Sequence, residues 1–204
     1  MTNNVLNLEI GGSFTGALTP SSEYLASQRR NAIRKVKRQD NYVADVQEEL
    51  TTLGGRVYTT KVTFGNRVYA LVIDTGSSDT WAAQAGLVCK DENGNTVATS
   101  TCNFGPLYNT RVSRSYKPYN PQQLFQVSYT SGEYLQGTLA TELLGIGGVG
   151  AGWAPLQIVN QTIGIAQQGF WTGDGTSSGV MGLAYSRLAD RSSTIGYEAV
   201  MFSL

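Results

Sequence analysis

The chain reads as an all-β domain preceded by a short helical extension, and three observations predict it. Glycine (24 residues) and tyrosine (11 residues) are frequent, alongside abundant Thr, Ser and Val, a composition suited to short strands joined by glycine-containing turns. From Gly54 onward, β-branched and aromatic runs recur between turn signals, beginning with RVYTTKVTF and RVYALVI on either side of Gly65-Asn66. Before that point the pattern differs: SEYLASQRRNAIRKVKRQ carries Leu25, Ile33 and Val36 among good helix formers, and Ser21-Ser22-Glu23 can cap it.

The helix is expected at about 22–38. It holds Arg29, Arg30, Arg34, Lys35, Lys37 and Arg38, every basic residue of the first 54 positions, while the acids there lie mostly after it. Residues 1–53 therefore read as an extension of a domain spanning 54–204. By charge alone the extension is a solvated tail; a removable prosegment would instead use Lys37-Arg38 as a dibasic processing site. The two strands around Gly65-Asn66 deliver the chain to Asp74 at the end of LVID. After a polar stretch, NTRVSRSYKPYNPQQ, the string LFQVSYTSGEYLQGTLATELLGI reads as a long hairpin with its tip near Tyr129–Gly137. APLQIVNQTIGIA is strand-like and contains a single sequon, Asn160-Gln161-Thr162; GFWTGDGTSSG is a loop; VMGLAY is a short apolar run; and a helix is expected from about Ala199. The apolar pattern is still running at Met201-Phe202-Ser203-Leu204, so the sequence is expected to be a fragment of a longer chain.

Composition limits the function classes. Fifteen Lys+Arg balance fifteen Asp+Glu, and only 15% of residues are charged, so nothing electrostatic points to nucleic acid. The start, MTNNVLNLEIGGSF, lacks the basic and apolar regions of a signal peptide, and no stretch approaches the roughly 18 apolar residues of a membrane span. Cys89 and Cys102 are separated by KDENGNTVATST, whose Asn93-Gly94 turn would bring them together. A local disulfide is favoured over free thiols, and it would place folding in an oxidising compartment.

The chain contains no histidine, so hydrolytic chemistry would have to rest on carboxylates. LVIDTGSSDTW puts one at the end of an apolar strand, where burying an ionised group is costly unless hydrogen bonds compensate. Asp74-Thr75-Gly76-Ser77 can supply them: Gly76 lets a backbone N–H approach the carboxylate, the Ser77 hydroxyl can donate to it, and the Thr75 hydroxyl is left to lock the loop to another element. Asp79 and Asp174 read as exposed-loop acids without a catalytic role.

Three motifs in order, DTGSSDTW after ALVI, Tyr129 in VSYTSGEYLQGTLATELLGIGG, and Val180-Met181-Gly182 in SGVMGLAY, resemble the N-terminal lobe of the pepsin-like aspartic proteases, especially fungal secreted ones. The resemblance covers residues 54–204. It implies that Asp74 is one of two catalytic aspartates that share a proton and hold a water molecule, supported by Gly76 and Ser77. It further implies that Tyr129 closes over substrate from a flap and hydrogen-bonds Trp81, and that Ser131 and Gly132 contact an extended peptide. No cofactor or metal is implied. Departures lie at Thr130-Ser131, where the family has Gly then Asp or Thr, and at Ser178-Gly179, where it often has Asp-Gly. No second Asp-Thr-Gly or Asp-Ser-Gly follows Ser77. The expected partners are thus a peptide substrate and a C-terminal lobe carrying the second aspartate, and the expected location of the whole protein is secreted, vacuolar or cell-surface. Alternatives are a non-catalytic pepsin-shaped binding or inhibitor protein and a dimer of single lobes.

Overall fold

The computed structural model describes residues 6–10, 46–53, 57–147, 155–189 and 199–203. The helix expected at 22–38 and the Lys37-Arg38 pair lie outside the described residues. Within them the chain is dominated by strands: β1 (Leu6–Ile10), β2 (Val46–Leu53), β3 (Val57–Phe64), β4 (Arg67–Asp74), β5 (Trp81–Lys90), β6 (Lys117–Pro118), β7 (Leu124–Ser128), β8 (Tyr134–Ile146), β9 (Leu156–Phe170) and β10 (Gly179–Gly182). A helical turn, Val200–Ser203, stands where the sequence places one. No described helix is long and apolar enough to cross a membrane.

The strands form one sheet in the order β1-β2-β3-β4-β10-β5-β9-β8-β6, with β7 also on β8. Because β3 pairs with β8 as well, from Val62↔Ile146 to Phe64↔Leu144, the strands β3, β4, β10, β5, β9 and β8 close into a ring. Closure removes sheet edges that would otherwise expose unpaired backbone groups. Side chains alternate between the two faces of these strands, and two apolar clusters result. Leu71, Ala82, Ala140, Ile163, Ile165 and Met181 belong to one, with Phe64, Tyr69 and Tyr108. Their sequence neighbours Trp81, Ala83, Leu139, Ala166 and Val180 belong to the other, with Phe125, Cys89 and Cys102. Gly164 is required where Phe125 lies flat on β9, since a Cβ there would come within 2.6 Å of the ring.

Several sequence expectations change. WAAQAGLVCK, a stretch for which no strand was expected, is the ten-residue β5. It pairs parallel with β9 and antiparallel with β10, and its Ala82 and Ala83 are fully buried, one in each apolar cluster. The hairpin tip is tighter than expected, since Tyr134–Gly137 already belong to β8 and only 129–133 form the turn. The sheet also crosses the boundary drawn at 53/54: β2 pairs with β3 from Leu50↔Thr60 to Leu53↔Val57, and β1 lies parallel on β2. Cys89 and Cys102 form a disulfide with Cα atoms 5.9 Å apart, both buried in the second cluster.

Candidate active site

Asp74 is the last residue of β4, and β10 runs parallel beside it with Gly182 opposite Asp74. Glycine is needed there: a Cβ on Gly182 would meet the Ser78 carbonyl carbon at 2.4 Å and the Asp79 nitrogen at 2.6 Å. This close approach lets the chain after β10 hold the loop after β4. The Leu183 N–H donates to the Asp74 carbonyl at 2.8 Å, the Ala184 N–H to the Ser77 carbonyl at 2.9 Å, and the Ser78 hydroxyl to the Tyr185 carbonyl at 2.6 Å. Residues more than a hundred positions apart thus form one rigid junction. Asp79 is part of it and is buried, 4% exposed, which corrects its reading as an exposed-loop acid; Asp174 is exposed as expected.

The Asp74 carboxylate is clamped on both oxygens. Gly76 N–H donates to Oδ1 at 2.8 Å, and the Ser77 hydroxyl donates to Oδ2 at 2.5 Å. Each oxygen keeps lone-pair capacity for a further donor. Thr75 is exposed, and its hydroxyl has no hydrogen-bond partner among the described residues.

Above this loop stands the β7–β8 hairpin. The Tyr129 N–H donates to the Glu133 carbonyl at 2.9 Å and the Gly132 N–H to the Tyr129 carbonyl at 3.0 Å, closing a turn in which Gly132 adopts φ +91°. Thr130, Ser131 and Gly132 are exposed at its tip. Tyr129 points back: its hydroxyl accepts the Trp81 Nε1–H at 2.8 Å. Burial raises the Tyr129 phenol above the usual tyrosine range; the bond from Trp81 works against that rise, and the nearby Asp74 carboxylate adds to it. The phenol therefore stays protonated and neutral.

Two residues of the site were not singled out in the sequence. Trp171, just past β9, meets Trp81 edge-on at 5.1 Å and Tyr129 at 5.6 Å between ring centroids, and stacks on Phe104 at 5.8 Å. Glu133 spans from the hairpin to this segment, accepting the Thr172 N–H at 2.8 Å. An aromatic in a glycine-rich loop and an acid beside a turn glycine are too common to be chosen before the fold brings them together. Asp74, Tyr129, Trp171, Glu133 and Asp174 all line a cleft of about 400 Å³. The Cys89–Cys102 disulfide does not line it.

Residues 57–203 match the family model for eukaryotic aspartyl protease. The chain belongs to that family. As an aspartyl protease sequence it is similar to "Probable aspartic-type endopeptidase" of Aspergillus fumigatus, at 39% identity over 140 residues, covering 67% of this chain and 29% of that protein. It is also similar to "Penicillopepsin-1" of Penicillium janthinellum, at 27% identity with 75% and 43% covered, and to "Secreted aspartic protease 5" of Candida albicans, at 29% with 58% and 29% covered. The matched region is therefore less than half the length of each relative. Family membership makes the all-β ring a pepsin-like lobe.

Proposed function

We propose that this chain is the N-terminal lobe of an aspartic-type endopeptidase, with Asp74 as one of its two catalytic carboxylates. The observation that carries the reading is the seat of Asp74: a carboxylate at a strand end, held by Gly76 N–H and Ser77 Oγ, facing a cleft that lies beneath the flap tyrosine. Such a clamp orients the group without consuming it, so the carboxylate can take a proton from a water molecule attacking a peptide carbonyl. One carboxylate is not sufficient. The developing oxyanion needs an acid, and two carboxyl groups close together share a single proton because both cannot ionise cheaply. The second aspartate belongs to a C-terminal lobe in this proposal, and Tyr129, Thr130, Ser131 and Gly132 cover an extended peptide bound between the lobes.

The basic run from Arg29 to Arg38 suits a prosegment that lies over an acidic cleft until low pH protonates its carboxylates. The disulfide and the secreted Candida relative support a secreted product. The test is Asp74→Asn in a chain carrying both lobes. The expected result is loss of peptide cleavage at acid pH with the fold retained; undiminished cleavage would sink the assignment.

A further inference from the structure

The flap does more than carry Tyr129. Beyond the Tyr134↔Phe170 pair the β8–β9 ladder has no further backbone pairing. One residue before that pair, Glu133 bridges the gap with its side chain. Its Oε1 accepts the Thr172 N–H at 2.8 Å, its Oε2 accepts the Ser131 hydroxyl at 2.8 Å, and its backbone carbonyl accepts the Tyr129 N–H at 2.9 Å. A single residue thus joins three things: the flap tip through Ser131, the flap tyrosine through its main chain, and the segment after β9 through Thr172.

That segment begins with Trp171, whose ring lies against both Tyr129 and Trp81. Nothing else in the flap turn bonds across to residues 171–173: the Thr130 and Gly132 side-chain positions face solvent, and a Cβ on Gly132 would meet nothing within 4 Å. The aromatic contacts are non-directional by comparison, so they tolerate a sliding flap where a hydrogen bond to a fixed N–H does not. Charge assistance strengthens such a bond. Asp174 lines the same cleft but spends its carboxylate within its own turn, accepting from the Thr176 and Ser177 N–H groups and from the Ser177 hydroxyl.

We propose that Glu133 is a positioning residue, a latch that fixes the flap to the Trp171–Thr172 segment and so sets the height of Tyr129 above the cleft. This rests on the endopeptidase reading for its kinetic consequence but not for its structural one. With the latch intact, the flap is held near its covering position before substrate arrives, and less ordering remains to be done on binding. Without it, the flap and the Trp171 wall move independently, and substrate must order both.

Two substitutions separate latch from mere packing. Glu133→Gln keeps the shape, an Oε1 acceptor for Thr172 and an Nε2 donor for Ser131. Glu133→Ala removes both bonds. In the 204-residue chain, amide hydrogen exchange at Thr172 should accelerate about tenfold in Glu133→Ala and stay within about threefold of wild type in Glu133→Gln. In a chain carrying both lobes, Glu133→Ala should raise KM about five- to tenfold with kcat nearly unchanged, and Glu133→Gln should restore most of the loss. Unchanged Thr172 exchange in Glu133→Ala would overturn the latch whatever the enzyme does. Equal losses in Gln and Ala variants, or a fall in kcat alone, would also overturn it. Failure of the protease reading is registered separately, by Asp74→Asn.

Discussion

Replacing Tyr129 by Phe removes one oxygen atom, and the structure says where the cost falls. That oxygen accepts the Trp81 Nε1–H at 2.8 Å, and Trp81 has no exposed surface. Water therefore cannot reach the indole N–H to replace the lost acceptor. An unsatisfied buried donor costs about 1–3 kcal/mol, so Tyr129→Phe should destabilise the lobe by about that amount, or about 2–4 °C in Tm for each kcal/mol in a chain of this size. Trp81→Phe removes the donor instead, leaving a half-buried phenol that can turn to solvent, and its cost is the packing lost around a fully buried indole, on the order of 2 kcal/mol or more. In the double variant the unpaired donor no longer exists, so Tyr129→Phe should be nearly free in the Trp81→Phe background. The coupling energy between the two is then about 1–3 kcal/mol, the whole cost of Tyr129→Phe in the wild-type background. Urea unfolding of all four proteins, with the disulfide intact, measures it from midpoints and slopes. A Tyr129→Phe variant within about 0.3 kcal/mol of wild type, or no coupling in the cycle, would refute the claim that this bond anchors the flap.

Three further outcomes are expected. Ser178 is fully buried and its hydroxyl has no hydrogen-bond partner among the described residues, so Ser178→Ala should be neutral or stabilising by up to about 1 kcal/mol; a loss larger than that in urea unfolding would show the hydroxyl is satisfied. Burial, reinforced for Tyr108 by the Glu142 carboxylate that accepts its hydroxyl proton at 2.5 Å, raises the phenols of Tyr108 and Tyr129. A raised folded value means the fold keeps protons that the unfolded chain releases, so stability is intact below the ordinary tyrosine value of about 10 and falls as pH rises beyond it. Urea midpoints measured across that range should decline, less steeply in Tyr129→Phe; a flat profile would contradict the burial of both rings. Asn160 is exposed at φ +57°, beside the exposed Val159. Expressed through a eukaryotic secretory route, the protein should carry one N-linked glycan that enzymatic deglycosylation removes and Asn160→Gln abolishes, and an unmodified wild-type mass would count against it.

The site's chemistry was legible because it is local. Asp74, Gly76 and Ser77 lie within four positions, so the clamp on the carboxylate follows from the turn they form, and the structure places both bonds where the residues imply. Strands such as β3, β4 and β9 announced themselves through β-branched residues and glycine turns. β5 did not: its alanines carry little strand preference, and its place between β9 and β10 is a property of the assembled sheet. Asp79 failed for the same reason, since its burial depends on Gly182, a hundred positions away.

The 204 residues by themselves determined the class of chemistry, a carboxylate in a glycine-serine turn with no histidine available, and the alternation that makes an all-β lobe. Only the tertiary structure decided what surrounds that carboxylate. The closure of β3 on β8, the insertion of β10 between β4 and β5, and the Glu133–Thr172 bond are contacts between distant segments. Local propensity carries no information about such pairings, because each strand's partner is chosen by the burial and backbone hydrogen bonds that all the others make available.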